Sequence, residues 1–120
     1  MSFESILQAI VEECPGALGA ALMGSDGIPV AEAQALESGS EIVGGAGVEF
    51  GRILDEVRKA SDAIGGGCLE EAVIQLARFT LIFRSVDAET FLVVILSPDG
   101  NLGKARYLMR RQLHAIRQEF

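Results

Sequence analysis

No tryptophan, one tyrosine, one histidine, two cysteines and three prolines occur in 120 residues. Each scarcity removes a class of activity. Six phenylalanines and a single tyrosine give no stacking platform for single-stranded nucleic acid. The lone histidine, His114, stands among Arg110, Arg111 and Arg117, with no carboxylate at helical spacing to orient it as a base. Gln118, four residues on, cannot take that role. Cys14 and Cys68 are isolated thiols with neither a Cys-x-x-Cys spacing nor histidine neighbours, which fits a reduced, cytoplasmic setting better than a disulfide or a metal site. Long apolar runs are missing too. Ala17 to Met23 and Phe91 to Leu96 are strand-length, far short of the roughly 18 residues that a membrane span needs. Met1-Ser2-Phe3-Glu4-Ser5 has no basic stretch ahead of apolar residues and no second-position glycine, so neither a secretory signal nor myristoylation is expected.

Positive charge is scarce in all but one place. Residues 1 to 100 carry 5 basic and 16 acidic side chains, a net −11, whereas residues 101 to 120 carry 5 basic and 1 acidic, a net +4. Lys104, Arg106, Arg110, Arg111 and Arg117 could form a basic patch, but the acidic remainder would repel a phosphate backbone, so no nucleic-acid partner is expected. The same cations also suit the carboxyl-terminal part of a helix.

The glycine runs have the wrong surroundings for nucleotide binding. Gly24-Ser25-Asp26-Gly27 and Gly65-Gly66-Gly67-Cys68 lack the lysine and hydroxyl of a phosphate loop, and the second precedes a strand rather than a helix. Asp26, Asp87, Glu89 and Asp99 are turn acids without calcium-loop spacing. No catalytic, metal-binding or cofactor-binding residue is therefore assigned.

What is present is a regular alternation of elements, which places the whole of residues 1–120 in one domain whose 49 % hydrophobic content can fill a core. Phe3, Ile6, Leu7, Ile10, Val11 and Cys14 recur at helical steps behind Ser2 and stop at Pro15-Gly16. Ala17 to Met23 and Ile28 to Ala33 flank an Asp26-Gly27 turn as a hairpin, and Pro29, unable to donate to a ladder, assigns the second strand to a sheet edge. Residues 34 to 39 read as a loop. From about Ser40 to Ile64 a helical pattern returns, with Val43, Ala46, Phe50, Ile53, Leu54, Val57 and Ile64 on one side and Glu41, Glu49, Arg52, Glu56 and Lys59 opposite.

Gly44, Gly47 and Gly51 fall on a third stripe bordered by Val48. Each interior glycine costs a helix about 1 kcal/mol, so the stripe implies either close approach of another backbone or a loop over 40 to 47 with the helix beginning near Val48. Gly65-Gly66-Gly67 ends the helix. Leu69 to Leu76 alternates, with Ala72, Ile74 and Leu76 pointing one way and Glu71, Val73 and Gln75 the other. Phe79 to Val86 and Thr90 to Ser97 follow as strands, and Phe91 to Leu96, apolar on both faces, belongs in mid-sheet. Pro98-Asp99-Gly100-Asn101 turns the chain into a last helix with Leu102, Ala105, Leu108, Met109, Leu113, Ile116 and Phe120 on its apolar face. The order helix, two strands, helix, three strands, helix specifies an α/β (α+β) fold: a five-stranded antiparallel sheet with helices on both faces.

Three segments resemble the roadblock family, the dynein-light-chain and bacterial-regulator group of small domains. These are Asn101-Leu102-Gly103-Lys104-Ala105-Arg106 after the Asp99-Gly100 turn, the Asp26-Gly27 hairpin continuing into Ile28-Pro29-Val30-Ala31, and Gly66-Gly67-Cys68-Leu69-Glu70-Glu71 leading into the third strand. The likeness spans nearly the whole chain. It implies a profilin-like sheet of order 2-1-5-4-3, with the second helix on one face and the first and third on the other.

The resemblance also implies a homodimer that pairs third strands and lays second helices side by side, with Gly44, Val48, Gly51, Ala72, Ile74 and Leu76 at the seam. It implies a non-enzymatic platform that binds a small Ras-like GTPase and, in the MglB-like branch, stimulates its GTP hydrolysis by repositioning the GTPase's own residues. Glu49, Arg52, Glu56 and Lys59 would form the GTPase-binding surface, although they would equally make an ordinary solvated helix face. A structural light-chain-type subunit joining larger proteins, with no GTPase partner, is the alternative. A small-ligand sensor ranks behind both, because nothing polar converges in the expected core to orient a ligand.

Overall fold

In the computed structural model the backbone is described for residues 2–35 and 39–120, and side chains for 2–35 and 42–120. Helix α1 (Phe3–Glu13) opens on Ser2, whose hydroxyl accepts the Ser5 amide at 3.1 Å, and it buries Ile6, Leu7, Ile10 and Val11. Strands β1 (Ala17–Gly24) and β2 (Pro29–Gln34) make the first hairpin. Asp26 tightens its turn by accepting the Ile28 amide at 3.0 Å. Helix α2 runs unbroken over Gly39–Ile64, so residues 40 to 47 are helical and not a loop. Within the stretch read as a loop, Gln34 belongs to β2, Gly39 to α2, and residues 36–38 lie outside the described ones.

Strands β3 (Glu71–Gln75), β4 (Thr80–Ser85) and β5 (Thr90–Leu96) follow, and α3 (Leu102–Gln118) closes the chain, capped by Asn101 accepting the Lys104 amide at 2.9 Å. β3 is shorter than the alternation suggested. Leu76 lies beyond it, its amide bonded to the Phe79 carbonyl at 2.7 Å in the turn to β4.

The sheet has order β2-β1-β5-β4-β3 with every neighbouring pair antiparallel. Pro29 stands on the edge strand and β5 at the centre, as the residues required, and every residue of β5 is buried. Its two faces serve two cores. Leu92, Val94 and Leu96 join α1 and α3, while Phe91, Val93 and Ile95 join α2. The two-sided apolar run is thus the physical reason for three layers.

Candidate interaction surface

The backbone of helix α2 lies nearest β1 and β2, and its side chains reach across to β5 and β4. Glycines set that position. An added Cβ at Gly47 would collide with Met23 Sδ and fall 2.9 Å from the Gly27 carbonyl, and one at Gly51 would meet the Gly27 backbone at 3.4 Å. Gly27 itself has φ +84°, and a Cβ there would come within 2.7 Å of the Gly47 oxygen. The close backbone approach implied by the stripe is therefore made within one chain, between α2 and the β1–β2 turn. Gly44 is different, with nothing within 4 Å of its Cβ position. At the other end Arg58 fixes the helix over the sheet: its guanidinium lies 4.0 Å from the Phe91 ring centroid and donates to the Ala88 carbonyl at 2.8 Å.

With the α2 backbone nearest β2 and β1, the β3 margin of that sheet face is only partly covered: Ala72, Ile74 and Phe79 are half-buried, while Leu81 and Phe83 of β4 are buried. Val43, Ala46 and Leu54 are buried, but Ile53 is 50 % exposed, Val57 40 % and Ile64 83 %, so the broad apolar face expected of the helix is only partly covered. At about 100° per residue, Ile53 and Val57 lie beyond Phe50, whose ring stacks on Phe83 of β4 with centroids 6.0 Å apart. Val57 borders Cys68 and Leu69, the lead-in to β3. Ala72, Ile74 and Phe79 complete this half-covered apolar quadrant, and β3 beside it is a free sheet edge.

The residues singled out from sequence divide into three groups. Ala72 and Ile74 face the α2 side at the free edge, while Leu76 is exposed just past it. Gly44, Val48 and Gly51 lie on the flank of α2 turned away from β3, since Val48 and Gly51 sit against Gly27. Val48, 64 % exposed, is thus far from Ile53 and Val57 around the helix. Glu49, Arg52, Glu56 and Lys59 share the outer face and are all exposed, with Lys59 paired to Glu56 at 3.3 Å and to Asp55 at 3.9 Å. The sequence pattern sets Ile53, Val57 and Ile64 on the same side as Val43, Ala46 and Leu54, and the structure leaves these three exposed. The signal that they do something else was the width of the apolar arc, broader than a helix resting on this sheet can bury.

The titratable groups give little catalytic chemistry. Among the described residues no cluster of His, Cys, Asp and Glu could hold a metal ion. Burial pushes the Cys14 thiol up, with Lys104 pulling weakly the other way, so it is a poor nucleophile. Glu71 is held by Arg84 at 3.3 Å and lies 2.9 Å from Arg106 Nε, an ion pair too poorly aligned to satisfy that N–H as a hydrogen bond. This charged cluster ties the edge strand to α3. No helix among the described residues is long and apolar enough to cross a membrane.

The sheet order, the placement of the helices and the free β3 edge define a roadblock-type domain. A Roadblock/LC7 domain from Streptomyces avermitilis superposes with a TM-score of 0.85 at 17 % identity, over 99 % of this chain and 98 % of that one. MglB of Myxococcus xanthus superposes with a TM-score of 0.84 at 14 % identity, over 98 % and 93 %. MglC of Myxococcus xanthus is 35 % identical over 100 % of both chains, with a TM-score of 0.72. The chain belongs to the roadblock family, with MglC the relative whose identity shows it. Neither a protein-family model nor a curated protein matches the sequence.

Proposed function

We propose that the chain is a non-enzymatic homodimeric platform that binds a small Ras-like GTPase. The observation that carries the dimer is the coincidence of a free strand edge, β3, with a half-covered apolar quadrant formed by Phe50, Ile53, Val57, Ile74 and Phe79. Two copies pairing their β3 edges antiparallel would extend the sheet, bring each α2 toward the other's quadrant, and remove both the open ladder and the exposed apolar side chains from water. Ile53 and Val57 replace Gly44, Val48 and Gly51 as the helix residues of this seam. Ala72 and Ile74 keep their place in it, and Leu76 borders it.

Such a dimer would set the two outer faces of α2 beside one another. Glu49, Arg52, Glu56 and Lys59 from both copies would then form one mixed-charge surface for the GTPase. The support for a GTPase is the family resemblance together with this surface. Any stimulation of hydrolysis would act through the GTPase's own residues.

The test is titration of the purified protein against GTP- and GDP-loaded Ras-like GTPases encoded near its gene. Binding that depends on the nucleotide, and that falls at least about tenfold on Arg52→Glu with Glu56→Arg, is the expected result. Absence of binding in either nucleotide state would favour the scaffold-subunit reading instead.

A further inference from the structure

The α1–α3 side of the molecule borders the seam just described only through Arg106 and Arg110, which lie beside Val57 and the lead-in to β3, and its charge is divided into two halves. Between α1 and β2 runs a groove of about 490 Å³ lined by Glu4, Gln8, Glu12 and Glu32 and by no cation. Among the described residues none of these three carboxylates makes an ion pair, and only Glu12 has a side-chain partner, the Gln8 amide at 3.2 Å. On the other half stands the outer face of α3. Arg106 is engaged with Glu71, and Arg117 donates to the Val86 carbonyl at 2.9 Å, but Lys104 and Arg110 are exposed and form no ion pair among the described residues. Between them Tyr107 is 55 % exposed, with Lys104 Nζ 5.7 Å and Arg111 Cζ 5.6 Å from its ring centre. At the boundary of the halves Arg111 meets Glu13 at 2.7 Å.

We propose that this face is a second surface of self-association, on which the basic, Tyr107-bearing ridge of α3 of one copy seats in the acidic α1–β2 groove of another. An interface about a two-fold axis must be complementary to itself. A face that is acidic on one half and basic on the other meets that condition. An axis lying in the plane of the helix layer, along the line between α1 and α3, carries each α3 over the α1 of its mate and makes the contact twice. Tyr107 supplies a large, semi-rigid ring at the centre of the contact, the kind of residue that dominates association energies.

A different acidic protein would satisfy α3 but leave Glu4, Glu12 and Glu32 unmatched, whereas a second copy satisfies both halves. The net charge of −7 opposes association at long range. At physiological ionic strength that repulsion is screened beyond about 8 Å, and pairs in contact are screened much less.

The experiment is light scattering of the full chain across salt concentration, with single charge reversals and their mixture. In a Val57→Glu background, which leaves this two-fold contact alone, the mass at about 0.15 M salt should be about twice that in 1 M salt, and the wild-type dimer, offering two such faces, should grow further at low salt. Lys104→Glu alone, or Glu12→Lys alone, should abolish the doubling while leaving the circular dichroism spectrum unchanged. An equimolar mixture of the two variants should restore it, because the two reversed charges then face each other with opposite sign. Because the doubling is read in the Val57→Glu background, failure of the α2–β3 seam is separately visible. A mass independent of salt, single reversals that behave as wild type, or a mixture that stays dissociated would each overturn the proposal. So would loss of an acidic co-purifying protein on Lys104→Glu with no change in self-association.

Discussion

An alanine methyl at Gly27 would lie 2.7 Å from the Gly47 carbonyl oxygen, on a backbone held at φ +84°. Both the left-handed conformation and the backbone contact oppose it, so Gly27→Ala should destabilise by about 1–3 kcal/mol or more, read as a lower urea midpoint. Gly44 sits in an ordinary helical conformation with open space around its Cβ position. Gly44→Ala should therefore raise stability, by up to about 1 kcal/mol, because it removes only the helix penalty. A fall on Gly44→Ala would place a neighbouring backbone against that flank after all. Cys14 carries a pH prediction with a definite sign. Its raised folded pKa means that the stabilisation is full below the unfolded thiol's value, roughly pH 8.5, and is lost as pH rises through the folded value. Unfolding free energy should decline from about pH 8.5 upward, more shallowly in Cys14→Ala. Iodoacetamide should label exposed Cys68 well before buried Cys14.

At the scale of elements, α2 decides how the molecule presents itself. Its glycines seat it against the β1–β2 turn, and this leaves Ile53 and Val57 facing the free β3 edge while Val48 points off the other flank. Val57→Glu should lower the mass in light scattering toward that of a monomer, and Val48→Glu should leave it unchanged. The opposite ranking would return the seam to the Gly44–Val48 flank. Both positions are exposed in the isolated fold, so neither variant should prevent folding. The periodicity of residues 43 to 64 made the helix legible but not its orientation. A 3.6-residue repeat says which residues share a face, and the packing partner decides which part of a wide face is covered.

For the whole molecule, stability and assembly should be linked. If the apolar quadrant is closed by a second copy, the native state contains two chains and the unfolded state one, so the urea midpoint should rise with protein concentration. A tenfold increase in concentration should add about 1.4 kcal/mol of apparent stability per dimer, and Val57→Glu should remove the dependence. A midpoint that does not move with concentration in the wild-type chain would count against a folded dimer.

Much of the architecture was determined by the sequence itself. The two-sided apolar run Phe91–Leu96 demanded a central strand, Pro29 an edge, and Ser2 and Asn101 the starts of helices, because each rests on local geometry or on burial that no neighbour can alter. Two matters were settled only by the tertiary structure. One is that Gly47 and Gly51 serve the Gly27 turn of their own chain, which requires knowing which backbone lies in contact across the fold. The other is which apolar residues of α2 remain outside the core. The 3.6-residue repeat sets Ile53, Val57 and Ile64 beside the buried residues of α2, and only the position of the helix over the sheet shows that this chain leaves them exposed.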